Sequence, residues 1–410
     1  TVVATVPDDL VAAFEQLLIQ LHVATDQHSQ GLSITFDVSR LLVPSPLETV
    51  TAVRIAPRPP MNAAHSYSGE TTAQYARHVQ HVTGGFTKEG EEIAPLDVKG
   101  LRRIAKAAPV GRRYVLTGVG ASVNPSHELE ASRILFAEAN PASVTHSHSF
   151  HNSSFAVRER TSVINSALLA EGQRIITALA AVAAKLVPHA RLFAMTNDGG
   201  SAPLSALAVK PVHSMLSASA AELVGAATIA GVDDGWIVIQ RGEGEVLGEM
   251  ADGTPAYSSR SKVSSSEVIA TRTAQLIPNS AGLIGNWMGV PVVVANVNRV
   301  DTSVNPRLST SRHVRSSVDL AGLGAACAPL VEWLEQDVKI RSEIEKDQVL
   351  LANETKVRMR LVSNGVSPSE VRILESRIIG ASYENSSTVA VRVRGIGGQR
   401  PSQFLTENSK

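Results

Sequence analysis

The sequence predicts an α/β protein with mixed sheets flanked by helices, plus a small α+β appendage near its C-terminus. Three observations predict it. Short apolar runs of strand length alternate with longer stretches of helical spacing, as in residues 113–118, 125–139 and from Val144 onward. Aromatic residues make up only 4% while Ala, Val, Ser and Gly are abundant, a composition suited to close helix–sheet packing. Finally, an apolar strand at 191–195 runs into Asn197-Asp198-Gly199-Gly200, ahead of a small-residue helix at 217–230. In open α/β sheets a glycine turn at a strand end is where ligands approach the backbone.

At 410 residues the chain exceeds what one hydrophobic core usually serves. We assign an N-terminal α/β domain to 1–145, a central α/β domain to 146–345, a small α+β region to 346–398 and a disordered tail to 399–410. Hydrophobic residues at 43% and charged residues at 19% mark a globular chain. Lys plus Arg equals Asp plus Glu at 38 each, so no net field favours nucleic acid or an anionic membrane. No uncharged apolar run reaches the ~18 residues of a membrane span. The single Cys327 admits no internal disulfide and points to a reducing, cytoplasmic setting; without a neighbouring base or cation it reads as a small core residue.

In order along the chain, residues 1–6 read as a strand and 10–22 as a helix, with Phe14, Leu18 and Leu21 on its apolar face. A strand at 32–36 leads to a short helix before Pro44, and 48–55 is a further strand. Residues 57–81, rich in Pro, His, Ser and Thr, read as a surface excursion with solvated His65, His78 and His81. A small hairpin at 86–95 precedes a basic amphipathic helix at 98–108 and a buried strand at 113–118. Asn124 is the expected cap of the helix at 125–139. A long Ala-rich helix covers 159–186. Residues 236–240 and 245–249 form two strands, 264–277 a helix, 290–297 a buried strand and 318–347 helix. The last part alternates β-rich runs at 357–361 and 389–393 around a helix opened by Ser367-Pro368-Ser369-Glu370.

Several stretches, in order, resemble the A-type subunit of the hydantoinase/oxoprolinase family. Gly84-Gly85-Phe86 through Glu91-Glu92-Ile93-Ala94-Pro95-Leu96-Asp97 is similar to its G-E-E-x-x-P-L-D segment, and Asn124-Pro125-Ser126-His127-Glu128 to its N-P-x-H-E helix start. Ser147-His148 and Glu159-Arg160-Thr161-Ser162, with Asn165 and Ala167, resemble its S-H and E-R-T-S-T-x-x-N-A pattern. Met195–Gly200 is similar to its M-Q-S-N-G-G turn, Pro211-Val212 to its P-V, and Val318–Ala326 to its late V-A-N-A-I-G-A-A helix. The resemblance implies the actin-like ATPase (ribonuclease H-like) fold. For active relatives it implies ATP-dependent activation of a cyclic amide or similar carbonyl, often with a B-type partner subunit.

The departures fall on the nucleotide site. Families of this fold hold ATP on turns resembling D-x-G-G-T-x-T-D, whose backbone N–H groups and hydroxyls meet phosphate and whose Asp meets the metal. The first turn has no counterpart. At the second stand Gln240 and Arg241, followed by Gly242-Glu243-Gly244-Glu245, and the Thr hydroxyls are missing. The family's S-G-P-A-A-G is Ser217-Ala218-Ser219-Ala220-Ala221-Glu222, and its late G-G-G turn is Ala295-Asn296-Val297. ATP and Mg are therefore disfavoured. The expectation is a scaffold or partner-binding subunit, working with a B-type partner or as a homo-oligomer. The alternative is an ATP-dependent hydrolase of hydantoin, oxoproline or lactam type, completed by a partner.

Two candidate sites remain. Asn197, Asp198, Gly199, Gly200 and Ser217 form a candidate ligand site, with Asp198 as acceptor or base and glycine amides as donors; the competing reading is a tight turn. His146, His148 and His151 carry a spacing that suits zinc, and a metal-dependent hydrolase would use them. The competing reading is ordinary loop histidines, since no acid lies nearby in sequence before Glu159.

Overall fold

The computed structural model describes residues 10–20, 33–44, 50–58, 70–241, 244–263, 266–278, 292–296, 312–316, 318–340, 342–379 and 388–398. The first strand, the 25–31 turn, His65, Glu243 and the tail lie outside the described residues.

Strands β2 (Val50–Ala56), β3 (Ala76–Thr83), β4 (Arg113–Gly118) and β5 (Ser143–His146) form a parallel sheet in the order β3-β2-β4-β5. β2 is buried along its whole length, as a central parallel strand covered on both faces must be. Val53, Ile55, Tyr114 and Leu116 pack with Leu101 of α3 (Val98–Ala107) and Leu135 of α4 (Ser126–Ala139). The alternate residues Val50, Ala52 and Val115 pack with Val163 of α5 (Phe155–Leu186). That alternation is the period-2 geometry of a strand.

The helix α5 is the spine between two layers. Ser154 caps it, its Oγ accepting from the Val157 N–H at 3.4 Å. Its Ile164, Leu168, Ile175 and Leu179 enter a second core with Phe14 and Leu18 of α1 (Leu10–Gln20) and with Ala194. By length and hydropathy α5 could cross a membrane; here sixteen of its residues are buried against protein.

Behind α5 lies a six-stranded mixed sheet: β1 (Ser33–Phe36), β6 (Arg191–Met195), β7 (Ser201–Pro203), β18 (Leu330–Lys339), β20 (Thr388–Gly397) and β19 (Arg372–Ile379), in that spatial order. The C-terminal α+β region thus extends this sheet through β18, and its helix α8 (Glu343–Ser363) buries Val357 and Leu361 against Leu334, Val391 and Val393. A third sheet runs β10 (Thr254–Pro255), β9 (Gly244–Ala251), β8 (Gly235–Arg241), β16 (Val292–Asn296), β17 (Arg312–Ser316), with β15 (Leu276–Pro278) also on β9. Helices α6 (Ala218–Ala230) and α7 (Leu320–Cys327) pack beside it, and Cys327 is buried as a small core residue.

Several local expectations are overturned. Within 57–81, residues 70–75 form α2 (Glu70–Tyr75) and β3 follows immediately, because the Ala76-Arg-His-Val-Gln-His-Val-Thr alternation supplies a parallel edge strand. The helix expected at 264–277 is replaced by two ribbons, β11 (Tyr257–Ser258) with β14 (Thr273–Ala274) and β12 (Ser261–Lys262) with β13 (Val268–Ile269). Its β-branched Val268, Ile269, Thr271 and Thr273 favour extended backbone. The helix expected across 318–347 breaks after Cys327 into β18, which is paired residue for residue with β20. Conversely 357–361 is helical, with Val357 and Leu361 one turn apart on a buried face, and 368–370 make a single 3₁₀ turn before β19. The segment before Pro44 is a turn closed by Leu41 N–H to Val38 O at 2.9 Å rather than a helix.

Candidate functional site

β6 delivers Thr196-Asn197-Asp198 to the end of the six-stranded sheet. The turn there is internally satisfied. Asp198 Oδ1 accepts from Thr196 Oγ1 at 2.6 Å and from the Gly200 N–H at 3.2 Å, and Oδ2 accepts from Trp333 Nε1 at 2.7 Å. Asn197 donates to Val212 O at 3.0 Å and accepts from the Leu216 N–H at 3.0 Å. Gly199 has φ +85°, and a Cβ there would meet Pro255 at 2.5 Å; one on Gly200 would meet Val331 at 2.2 Å. Ser217 Oγ donates to Asp37 Oδ1 at 2.8 Å and lies 3.0 Å from Ser214 O. Of the five predicted ligand residues, Asn197 and Asp198 line a cavity, while Gly199, Gly200 and Ser217 pack against protein.

That cavity, about 1040 Å³, is lined by residues at the C-terminal end of the parallel sheet and by β18, β20 and α8. Residues Gly120 and Ser149–Ser153 supply one wall, Lys210 and His213 the floor beside the turn, and Arg272 a further side. Alternation along β18 sets its chemistry. Trp333, Glu335 and Asp337 share a face and pair across the ladder with Arg394, Arg392 and Ala390. Arg272 stacks over Trp333 at 4.1 Å and pairs with Glu335, which also holds Arg392. The opposite face sends Gln336 to Asn353 of α8 at 3.1 Å and Glu332 to Arg360 at 2.8 Å.

Burial pushes the Asp198 carboxyl upward, but the Arg394 charge and the hydrogen bonds from Thr196, Trp333 and Gly200 outweigh it and hold the group below the ordinary aspartate range. Lys210 falls to about 8, through burial first and then the Arg272 charge; His213 falls to about 3, through burial and then Lys210. Asp198→Asn would turn an amide N–H toward the Trp333 N–H, leaving two donors facing each other. We expect it to cost about 1–3 kcal/mol at neutral pH. Because the folded pKa is depressed, the Asp198 contribution is present above the unfolded value of about 3.9 and is lost as pH falls through the folded one. Urea melts of the two proteins should therefore differ fully above about pH 3.9 and converge only as pH falls through the lower folded value.

The three candidate zinc ligands do not converge on one point. His148 donates Nδ1–H to Glu128 Oε2 at 2.7 Å, and His151 Nε2 meets Asp337 Oδ1 at 2.8 Å across the cavity. His146 stacks obliquely on His148, ring centroids 5.3 Å apart. Among the described residues no three His, Cys, Asp or Glu side chains converge on a metal position. The acids that hold His148 and His151 come from distant sequence, a pairing that the absence of a near neighbour concealed. Glu128 is fully buried, and burial raises its carboxyl. The His148 bond and charge, with Ser147 Oγ at 2.6 Å and the His148 N–H, reverse that and keep it low.

The other resembling motifs prove to be joints between layers. Gly85 N–H donates to His127 Nδ1 at 2.9 Å, so Nε2 carries the proton that faces Glu92 Oε1 at 2.9 Å; this ties the G-E-E segment to the N-P-x-H-E helix. Arg158 Nη2 donates to Gly118 O at 2.8 Å, and the Thr161 hydroxyl accepts from the Ala270 N–H at 2.8 Å. Where the resemblance places the second ATP turn, β8 and β9 pair antiparallel with Arg241 opposite Gly244 in register, and Gln240 Nε2 donates to Glu245 Oε1 at 3.3 Å. Sequence reasoning missed Lys210, Arg272, Trp333, Glu335 and Arg392. The last four lie in segments whose state or pairing was not readable; Lys210, just before Pro211-Val212, stood beside a recognised motif.

No protein-family model and no curated protein matches the sequence. Among solved structures the chain is similar to an ATP-dependent caprolactamase from Pseudomonas jessenii, at 13% identity and a TM-score of 0.63, covering 97% of this chain and 84% of that one. It is also similar to a nucleotide-free acetone carboxylase, an enzyme of ATP-dependent acetone carboxylation, at 10% identity and a TM-score of 0.54, covering 83% of this chain and 72% of that one. The fold, mixed sheets flanked by helices, is therefore one found in ATP-dependent enzymes.

Proposed function

We propose that this chain is a relative of the hydantoinase/oxoprolinase A-type subunits that keeps a ligand cavity and lacks the nucleotide site. It binds a cyclic amide or similar carbonyl compound and presents it to a partner, either a B-type subunit or a second copy. The observation that carries this reading is the cavity beside Asp198, whose volume of about 1040 Å³ suits a small molecule and whose wall includes His151, Asp337, Lys210 and Arg272. The likeness to a caprolactamase supports the substrate class. The β8–β9 hairpin does not fit Mg-ATP: Gln240 occupies the position of the metal-binding Asp and is engaged with Glu245. No step through ATP is assigned to this chain.

A second reading, an ATP-dependent hydrolase completed by a partner, is favoured by the two ATP-dependent enzymes that share the fold. Calorimetric titration separates the two. We expect no heat from Mg-ATP at micromolar concentrations and a binding isotherm from ring amides such as hydantoin. Micromolar Mg-ATP binding overturns the loss of the nucleotide site and favours the second reading. Failure of every ring amide to bind removes the cavity's assigned role.

A further inference from the structure

We propose that the ligand of this cavity carries an oxyanion, a carboxylate or phosphate, received by Lys210 and Arg272 of its lining. The inference rests on the cavity being the ligand site and specifies the charge of what enters it.

The chain as a whole is neutral, with 38 basic and 38 acidic residues. The cavity is not: eight Lys and Arg line it against four Asp and Glu. Each of the four acids is already engaged. Glu332 holds Arg360 at 2.8 Å, Asp337 meets His151 at 2.8 Å, Glu335 is shared by Arg272 and Arg392, and Asp198 accepts from Trp333 at 2.7 Å. Lys210, by contrast, ends on a neutral oxygen, its Nζ donating to Ser149 O at 2.9 Å. Arg158 is spent on Gly118 O at 2.8 Å, Asn152 O at 2.7 Å and Ser147 Oγ at 3.3 Å, with the Glu128 and Asp337 charges nearby.

An ammonium has three donors, so one carbonyl leaves Lys210 with capacity for a further acceptor. The excess of basic over acidic lining residues makes the formal charge of the cavity positive. Lys210 is lowered to about 8 by burial first and then by Arg272, with Glu332 opposing. His213 is lowered to about 3 by burial first, then by Lys210 and Arg272, with Asp198 opposing. Low-dielectric concave walls concentrate such a field, so an anion gains more here than at an open surface. Arg272, held flat over Trp333, keeps its planar fork at the wall, the geometry that matches a carboxylate or phosphate.

The probes are succinate, inorganic phosphate and the neutral isostere succinamide, titrated into the full chain without nucleotide. Succinate or phosphate should bind and weaken with added salt, and succinamide should bind at least tenfold more weakly. Lys210→Met should weaken anion binding by roughly tenfold to a hundredfold. Tighter succinate marks a carboxylate ligand and tighter phosphate a phosphoryl one. Equal binding of succinate and succinamide, or anion affinity unchanged in Lys210→Met, overturns the proposal. The comparison of probes on the unmodified chain decides it even if the variant does not fold. Succinate binding without hydantoin binding leaves this inference standing and removes the ring-amide reading; hydantoin binding with no preference for anions does the reverse.

Discussion

Arg54→Met is expected to destabilise the protein by about 3–5 kcal/mol, more than any other single side-chain change discussed above. Arg54 sits in the central strand of the parallel sheet at 1% exposure, and its guanidinium meets Glu159 of α5 through bonds of 2.5 and 2.9 Å. The pair spans the sheet–helix interface at the first acid of the E-R-T-S pattern. Removing the cation leaves a buried carboxylate with no ion-pair hydrogen bond and only the Arg160 charge to offset it, and the loss comes mainly from that stranded group. Burial already pushes the Glu159 carboxyl up, against the Arg54 bond and the charges of Arg54 and Arg160; without Arg54 it rises further. A group whose folded pKa is raised favours the folded state increasingly as pH falls through that value. The deficit of Arg54→Met should accordingly shrink toward acid pH, and the double variant Arg54→Met/Glu159→Leu should recover most of the stability at neutral pH. Urea denaturation of the three proteins at two pH values measures this; a double variant as unstable as Arg54→Met would show that the pair itself supplies the stabilisation.

Gly324→Ala should cost about 3 kcal/mol, at the upper end for one added methyl group. A Cβ at Gly324 would lie 1.7 Å from the Ala221 carbonyl oxygen, and one at Gly225 would lie 1.9 Å from that of Leu320. The obstacles are backbone atoms, so no rotamer change relieves them, and α6 and α7 must move apart. Ala221 and Val224 of α6 share a core with Met195 and Cys327, so the separation should also loosen the turn that positions Asp198. Thermal melting should report the lost stability. The indole of Trp333, bonded to Asp198, should shift its fluorescence in the same variant. An unchanged melting temperature would show that the two helices are not in contact at this point in solution.

Much of the fold was readable from local pattern. The apolar face of α5, the β8–β9 pair and the glycine turn after β6 each bury side chains at the period of their own element, and that period is written in consecutive residues. Where the reading failed, a distant partner overrode local preference. The Glu, Gln and Leu content of 330–339 suits a helix, yet Glu335 is drawn into the ladder opposite Arg392 and Leu334 opposite Val393. The apolar–basic alternation of Val357-Arg358-Met359-Arg360-Leu361 suits a strand, yet Val357 and Leu361 also stand at helical spacing and α8 needs both to cover the sheet.

The candidate site divides along the same line. The sequence alone determined that a strand ends in a tight turn at Asn197–Gly200 and that a long helix precedes it; the loss of the acid and hydroxyls of the ATP turns is an expectation that rests on the resemblance. Only the tertiary structure decided what the turn's side chains touch. Asp198 is saturated by Thr196, Gly200 and Trp333, the last of these 135 positions away. It likewise gave His148 and His151 each its own carboxylate, Glu128 and Asp337, and it brought Lys210 and Arg272 into the lining of one cavity. The physical reason is that hydrophobic period is a property of neighbours in the chain. Charge pairing is a property of neighbours in space, and strand register sets which residues those are.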